Sequence, residues 1–158
     1  MSRPPRPVTD GRDRPVNLAV LMRDGFTVLN NRVLVRLAEE GHGAVRPAHS
    51  AVFEFLDDTG TTVSTLAERA QMTKQGMAEL VRHLEVHGYV TREPDPDDRR
   101  AKRVLLTPAG REVVGIAQRL VPEIEAEIVA LVGPERSRAL RADLAAIGRL
   151  GATVPPQE

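Results

Sequence analysis

Three groups of side chains in this sequence have the types and spacing to do chemistry. In His83-Leu84-Glu85-Val86-His87 the two imidazoles stand four residues apart, on one face of a helix, a spacing that can bind zinc. The metalloprotease form needs glutamate directly after the first histidine, and Leu84 is there instead, so the competing reading is a pair of solvated histidines near a helix end. His42, beside Glu39 and Glu40, could join a regulatory zinc site, but no ligand quartet is evident. The second group is Gln75, Glu79 and Arg82, centred on one side of a helix. A glutamine there can pair bidentately with adenine and an arginine with guanine or phosphate, while Ala78 can meet a thymine methyl group. The third is Arg99, Arg100, Lys102 and Arg103, cations close enough together to follow a phosphate backbone. No Gly-rich phosphate loop, Ser nucleophile motif or paired catalytic carboxylates occur in the sequence, so no enzyme activity and no cofactor are expected.

The elements that must position these residues are marked locally. Thr62 to Ala70 and Thr73 to His87 describe two short amphipathic helices separated by Gln71-Met72, which is the helix-turn-helix pattern, with the second helix offered to the DNA major groove. Thr73 can cap the free N–H groups of that helix, and Gly88 falls where a left-handed C-terminal residue is usual. Met77, Leu80, Val81 and Leu84 share the side opposite Gln75, Glu79 and Arg82, so one side packs and the other faces out. For the first helix either Ser64 or Thr65 can be the cap. Gly76 either permits close approach or is merely tolerated. Val90-Thr91-Arg92-Glu93 and Arg103 to Thr107 look like the arms of a β-hairpin. The loop between them is rich in turn formers, has no apolar residue larger than alanine, and therefore projects with its cations.

With these residues on the page, the chain resembles the MarR family of bacterial winged-helix transcription regulators. The matching residues are Leu66-Ala67, Thr73-Lys74-Gln75, Gly88-Tyr89-Val90, the wing Asp95-Pro96-Asp97-Asp98-Arg99-Arg100, and Leu106-Thr107-Pro108-Ala109-Gly110, and the resemblance runs from about Val16 to Leu150. A helix-turn-helix alone is a weak match, whereas the Asp-x-Arg wing followed by Leu-Thr is specific. The resemblance implies that Arg100 enters the minor groove, and Asp98 is best read as holding that arginine's geometry, since a carboxylate facing phosphate is repelled. Thr73, Lys74 and Gln75 lie where helix N-terminal amides favour phosphate, and Arg99, Lys102 and Arg103 are expected on the backbone.

Charge argues least for nucleic acid, because 22 basic residues balance 22 acidic ones. Up to Arg36 there are seven arginines and three acids, whereas Ala44 to Thr107 holds nine basic and ten acidic residues. No domain-wide basic field exists, so binding must rest on a few placed cations and weaken steeply with salt. At 158 residues, with 41% hydrophobic and 3% aromatic residues, one aliphatic core is expected. Without cysteine there is neither a disulfide nor thiol-based sensing. No apolar run near membrane-spanning length and no signal-peptide pattern occur, so a cytoplasmic protein without membrane contact is expected.

Flanking segments complete the expectation. Residues 1–14, rich in Pro, Arg and Asp, read as a mobile tail or, alternatively, a basic arm touching DNA, and residues 152–158 as a second tail. From Pro15, Leu18, Met22, Phe26, Leu29, Val33 and Leu37 recur at helical steps, with Pro15 in the first turn, Asn17, Arg23 and Arg32 off the stripe, and Gly41-His42-Gly43 as the stop. Pro47 to Asp57 reads as a second helix with Val52, Phe53 and Leu56 inward, and Thr61-Thr62-Val63 as a short strand beside the wing. Thr107 caps and Pro108 opens a long helix with Val113, Ala117, Leu120, Ile124, Ile128 and Leu131 on one stripe, widened by Val114, Ile116 and Val121. After Gly133-Pro134, Leu140, Leu144, Ile147 and Leu150 make a final helix. So wide a stripe is either intrachain core or a mixed core and dimer interface, and the resemblance favours the latter.

The expected fold is mainly α with a small β-wing (α+β): a winged helix-turn-helix domain over 15–151, with dimerisation helices at 15–40 and 108–150 and a DNA-binding part at 46–107. The expected function is sequence-specific binding of double-stranded DNA by a homodimeric regulator, a ligand-responsive repressor on a palindromic operator. A small aromatic or anionic effector is implied by the resemblance, with Arg23, His49 and Phe53 as conceivable pocket residues. The alternatives are a zinc-responsive regulator and a winged-helix protein-interaction module without specific DNA binding.

Overall fold

Asn17 opens the first helix of the computed structural model, which describes residues 17–150. Its side-chain oxygen accepts the Val20 N–H at 3.0 Å, and helix α1 runs Leu18–Glu39. The helix therefore starts later than the Pro15 expected, because Asn17 is a better partner for orphan amides than proline is a first-turn residue. Gly41, at φ +93°, stops it. The expected tails at 1–14 and 152–158 lie outside the described residues.

The second helix is shorter than expected. A 3-10 turn, Pro47–His49, precedes α2, Ser50–Phe55, and Leu56 is already extended, though buried. Strand β1, Thr61–Thr62, passes directly into helix α3, Val63–Arg69. Neither Ser64 nor Thr65 caps α3; the Thr62 hydroxyl accepts the Thr65 N–H at 3.2 Å. Thr62 still pairs with Arg103 in the sheet, so the extended residue that ends the strand is also the one placed to cap. Gln71, at φ +53°, turns the chain after α3, with the Met72 N–H donated to the Ala67 carbonyl at 2.9 Å.

Helix α4, Lys74–Val86, is capped by Thr73, whose hydroxyl accepts the Gly76 N–H at 3.1 Å. Strands β2, Val90–Pro94, and β3, Lys102–Leu106, form the wing. The three strands are antiparallel with β3 in the centre; Thr61 faces Val104 on one side of it and Arg92 faces Val104 on the other. Thr107 caps helix α5, Pro108–Val132, and helix α6, Pro134–Leu150, follows the break at Gly133. The fold is thus mainly helical with a small sheet.

One core joins these elements. Met77, Val81 and Leu84 from α4 are fully buried with Leu66, Val52 and Val104, and Leu37 of α1 and Val113 and Ile116 of α5 close the cluster. Gly110 allows α5 to reach it: a Cβ there would stand 2.1 Å from the Tyr89 carbonyl oxygen. The Thr107 N–H donates to that same carbonyl at 3.1 Å, so the start of α5 is pinned against the start of β2. Away from this core, apolar side chains stay open: Leu18 is 60% exposed, Phe26 59%, Leu131 79% and Leu150 70%. No helix among the described residues is long and apolar enough to cross a membrane.

Candidate nucleic-acid interface

Helix α4 separates its faces as its spacing predicts. Met77, Val81 and Leu84 lock it into the core, and Lys74, Gln75, Glu79 and Arg82 are exposed. Ala78 is half-buried, and the Thr73 hydroxyl is already committed to its cap. Gly76 has an internal reason to lack a side chain, since a Cβ there would lie 3.1 Å from the Thr73 hydroxyl oxygen. Its absence keeps the cap intact, and with it the placement of the first turn.

The wing tip is shaped by its aspartates. Asp95 Oδ1 accepts the Asp97 N–H at 2.9 Å, and Asp98 Oδ1 accepts the Arg100 N–H at 2.9 Å. The loop is closed by the Asp95 N–H to the Ala101 carbonyl at 3.0 Å and the Ala101 N–H to the Asp98 carbonyl at 2.9 Å. Asp98 thus fixes the backbone of Arg100, whose guanidinium is in no salt bridge of the described residues. Arg99, Arg100 and Lys102 are exposed. Arg103 differs from them: it lies in β3, half-buried, with its stem over Gly60, where a Cβ would come within 2.8 Å of the Arg103 Cδ.

Ion pairing separates these cations from two of their neighbours. Lys74, Arg82, Arg99, Arg100, Lys102 and Arg103 take part in none of the salt bridges of the described residues. Arg92 and Arg69 of the same region do pair, with Glu85 at 3.2 Å and Asp57 at 2.8 Å, and each ties one element to another.

His87 is an exposed side chain at the end of α4, as expected, whereas His83 is half-buried. His49 is 2% exposed, its ring stacks 4.7 Å from that of His83, and the His83 ring lies 4.3 Å from that of His87. Burial first, and then the neighbouring His83, Arg46 and His87, push His49 down to about 4. His83 is also lowered, by desolvation before the charges of Arg46 and His87. Among the described residues no group of three or more His, Cys, Asp or Glu is arranged to hold a metal ion. His42 instead packs against Tyr89, with Glu112 Oε2 3.6 Å from its Nε2.

A cavity of about 440 Å³ opens between α1, α2 and α5, walled by Val33, Leu34, Phe53, Val113 and Val121 with Arg46, Glu54 and Gln118 as polar points. Of the pocket residues expected from the sequence, Phe53 lines it. His49 is held in the histidine stack, and Arg23 lies on α1 paired with Asp24 at 3.0 Å. Arg46 and Glu54 were not singled out from the sequence, and the one local signal is that Arg46 directly precedes the turn-forming Pro47.

Residues 45–101 match the model of the MarR family. The transcriptional regulator HosA of Escherichia coli O111:H- is 29% identical over 90 residues, which is 57% of this chain and 67% of the relative. Among solved structures, the transcriptional repressor CouR bound to a 23-mer DNA duplex superposes with a TM-score of 0.67 at 23% identity, covering 84% of this chain and 92% of that one. The S. aureus MepR–DNA complex gives a TM-score of 0.66 at 21% identity, covering 84% of this chain and 96% of the other. The matched segment contains α4 and the Asp95–Ala101 wing loop, and together with the regulator relative it supports a MarR-family winged-helix regulator.

Proposed function

We propose that this chain binds double-stranded DNA as a homodimer, with α4 in the major groove and the wing tip on the adjacent minor groove, and that it is a ligand-responsive repressor acting on a palindromic operator in the cytoplasm. The observation that carries the proposal is the set of exposed cations on α4 and the wing that are in no salt bridge of the described residues, in a chain of zero net charge. Unpaired cations release counterions when they meet phosphate, whereas paired ones first have to lose a partner. Gln75 and Arg82 read base edges, Ala78 meets a thymine methyl, and Arg100 enters the minor groove with its backbone set by Asp98. Lys74, Arg99 and Lys102 contact phosphate, joined by the α4 N-terminal amides, and Arg103 contributes from the wing base.

Dimerisation is supported by the apolar side chains of α1, α5 and α6 that the single chain leaves open. A two-fold pair would set two copies of α4 about one DNA turn, roughly 34 Å, apart, and an inverted repeat fits that symmetry. The effector's place is the cavity beside α2, which lies between the terminal helices and the winged part; an effector acts there only by binding two dimer arrangements unequally. Relatives named as a repressor on a DNA duplex and as a DNA complex support the same reading.

Sedimentation of the purified chain, with gel-shift titration of duplexes from its own upstream region against random DNA, tests this. A dimer that prefers one palindromic fragment is the expected result. A strict monomer, or a shift that random DNA abolishes equally, points to the protein-interaction module instead.

A further inference from the structure

The imidazole column between α4 and the 46–50 turn has no part in DNA contact as proposed above. His49 closes that turn, and its Nδ1 accepts the Arg46 backbone N–H at 2.9 Å. Its ring and that of His83 are nearly parallel, 24° apart, and His83 Nδ1 is buried without a hydrogen-bond partner. His87 ends α4 with its Nδ1 2.8 Å from the His83 carbonyl oxygen, which makes that nitrogen a donor.

A ring nitrogen that accepts a hydrogen bond cannot also carry a proton. Charging His49 would set an N–H against the Arg46 N–H and place a cation on the face of a second imidazole. The charges acting on His49 are His83, Arg46 and His87, all positive or titrating to positive. Of the carboxylates on the packed elements, Glu85 of α4 is held by Arg92 of β2, Glu54 of α2 lines the cavity, and Glu79 of α4, Glu68 of α3 and Glu93 of β2 are exposed. Among the described residues no acid forms an ion pair with His49, His83 or His87.

We propose that this column is a proton-operated latch: while neutral it seats the C-terminal half of α4 on the 46–50 turn, and proton uptake unseats that half and weakens DNA binding. The second effect rests on the reading of α4 as the DNA-contacting helix. The latch also reaches the effector cavity, because Arg46 and Ser50, on either side of His49, both line it.

The sign follows from linkage. A folded-state value lowered from 6.5 to about 4 means that the unseated form binds more protons between those limits. Seating is therefore complete above that window and is lost as pH falls through it. At about pH 5.5, His49 alone shifts the balance roughly tenfold toward the unseated form. Ordinary histidine protonation acts the other way on DNA binding, since added positive charge tightens contact with phosphate.

The test combines hydrogen exchange with binding to a duplex recovered from a random pool at about pH 7.5, both repeated at about pH 5.5 and equal ionic strength. In the native chain the opening constant of the Val81–Val86 amides, corrected for intrinsic exchange, should rise about tenfold as the affinity falls. His49→Asn keeps an acceptor for the Arg46 N–H but takes no proton, and should flatten both responses to within about twofold. His49→Gln, which also offers an acceptor and takes no proton, gives the same comparison if His49→Asn does not fold. Unchanged α4 exchange in the native chain, or a variant responding as the native chain does, overturns the latch. Increased opening with unchanged or tighter binding overturns its link to DNA. Failure to recover any duplex at the higher pH counts against the DNA reading alone, because the exchange arm still decides the latch.

Discussion

The terminal helices and the winged part of this chain place charge and apolar surface differently. In the terminal helices ion pairs tie one element to another: Arg32 of α1 reaches Glu127 of α5, Arg119 of α5 reaches Glu40, and Arg141 of α6 reaches Glu125 of α5, while Arg111, Arg136, Arg138 and Arg149 are in no salt bridge of the described residues. Their apolar side chains, by contrast, stay open at Leu18, Phe26, Leu131 and Leu150. The winged part buries Met77, Val81, Leu84 and Val104 completely and leaves Lys74, Arg82, Arg99, Arg100 and Lys102 unpaired. One region crosses its helices with ion pairs and leaves more apolar surface open; the other buries its core and gathers cations that are in no salt bridge of the described residues on α4 and the wing. A net charge of zero therefore says little about nucleic acid, because what matters is which cations have already been neutralised within the chain.

The largest effect should come from breaking the joint between the two regions. Gly110 lets α5 lie against the Tyr89 carbonyl, and a methyl group at 2.1 Å from that oxygen cannot be accommodated without moving the helix from the strand. Gly110→Ala should cost about 3 kcal/mol or more, read as a lower denaturant midpoint. Stability, oligomeric state and DNA affinity should fall together. If affinity alone fell, the two regions would not share the single core that the burial pattern describes.

The next effect is confined to the winged part. Arg100→Ala removes an exposed cation that makes no ion pair, so the melting temperature should not change. Operator affinity should fall by about 1–3 kcal/mol, with the salt dependence shallower by roughly one counterion. An unchanged affinity at low and moderate salt, in a folded dimer, would remove the wing from the interface.

Local signals made this half legible in advance. Thr73 before an amphipathic run, Gly88 after it, and a proline- and aspartate-rich loop between two short β-prone runs each act within a few residues, so sequence alone locates α4 and the wing. The α3 cap failed as an inference because Ser64 and Thr65 are equally plausible by type; Thr62 was selected by its pairing with β3, a contact made far along the chain. The start of α1 moved for a related reason, since Asn17 was read only for its place off the apolar stripe. The histidine column was out of reach altogether. His83 and His87 share a helix face, but the buried His49 stacks on His83 only once the turn before α2 packs on α4, while His87 stays exposed at the helix end.

The smallest expected effect tests the other half of the comparison. Arg32 and Glu127 form a two-pronged ion pair between α1 and α5, and the hydrogen bond from Arg32 holds the Glu127 carboxyl below its ordinary value. A lowered carboxylate contributes stability above its unfolded value and loses it as pH falls through the folded one. Both side chains are well exposed, however, so water and salt screen the attraction and ordering the long side chains offsets what is left. Glu127→Gln should therefore leave the melting temperature at moderate salt within measurement error and leave operator affinity unchanged, even though it frees an arginine. That second outcome is the discriminating one. If freeing Arg32 on α1 tightened DNA binding as much as Arg100→Ala weakens it, cations anywhere on the surface would serve, and the contrast between neutralised and available charge would lose its functional meaning.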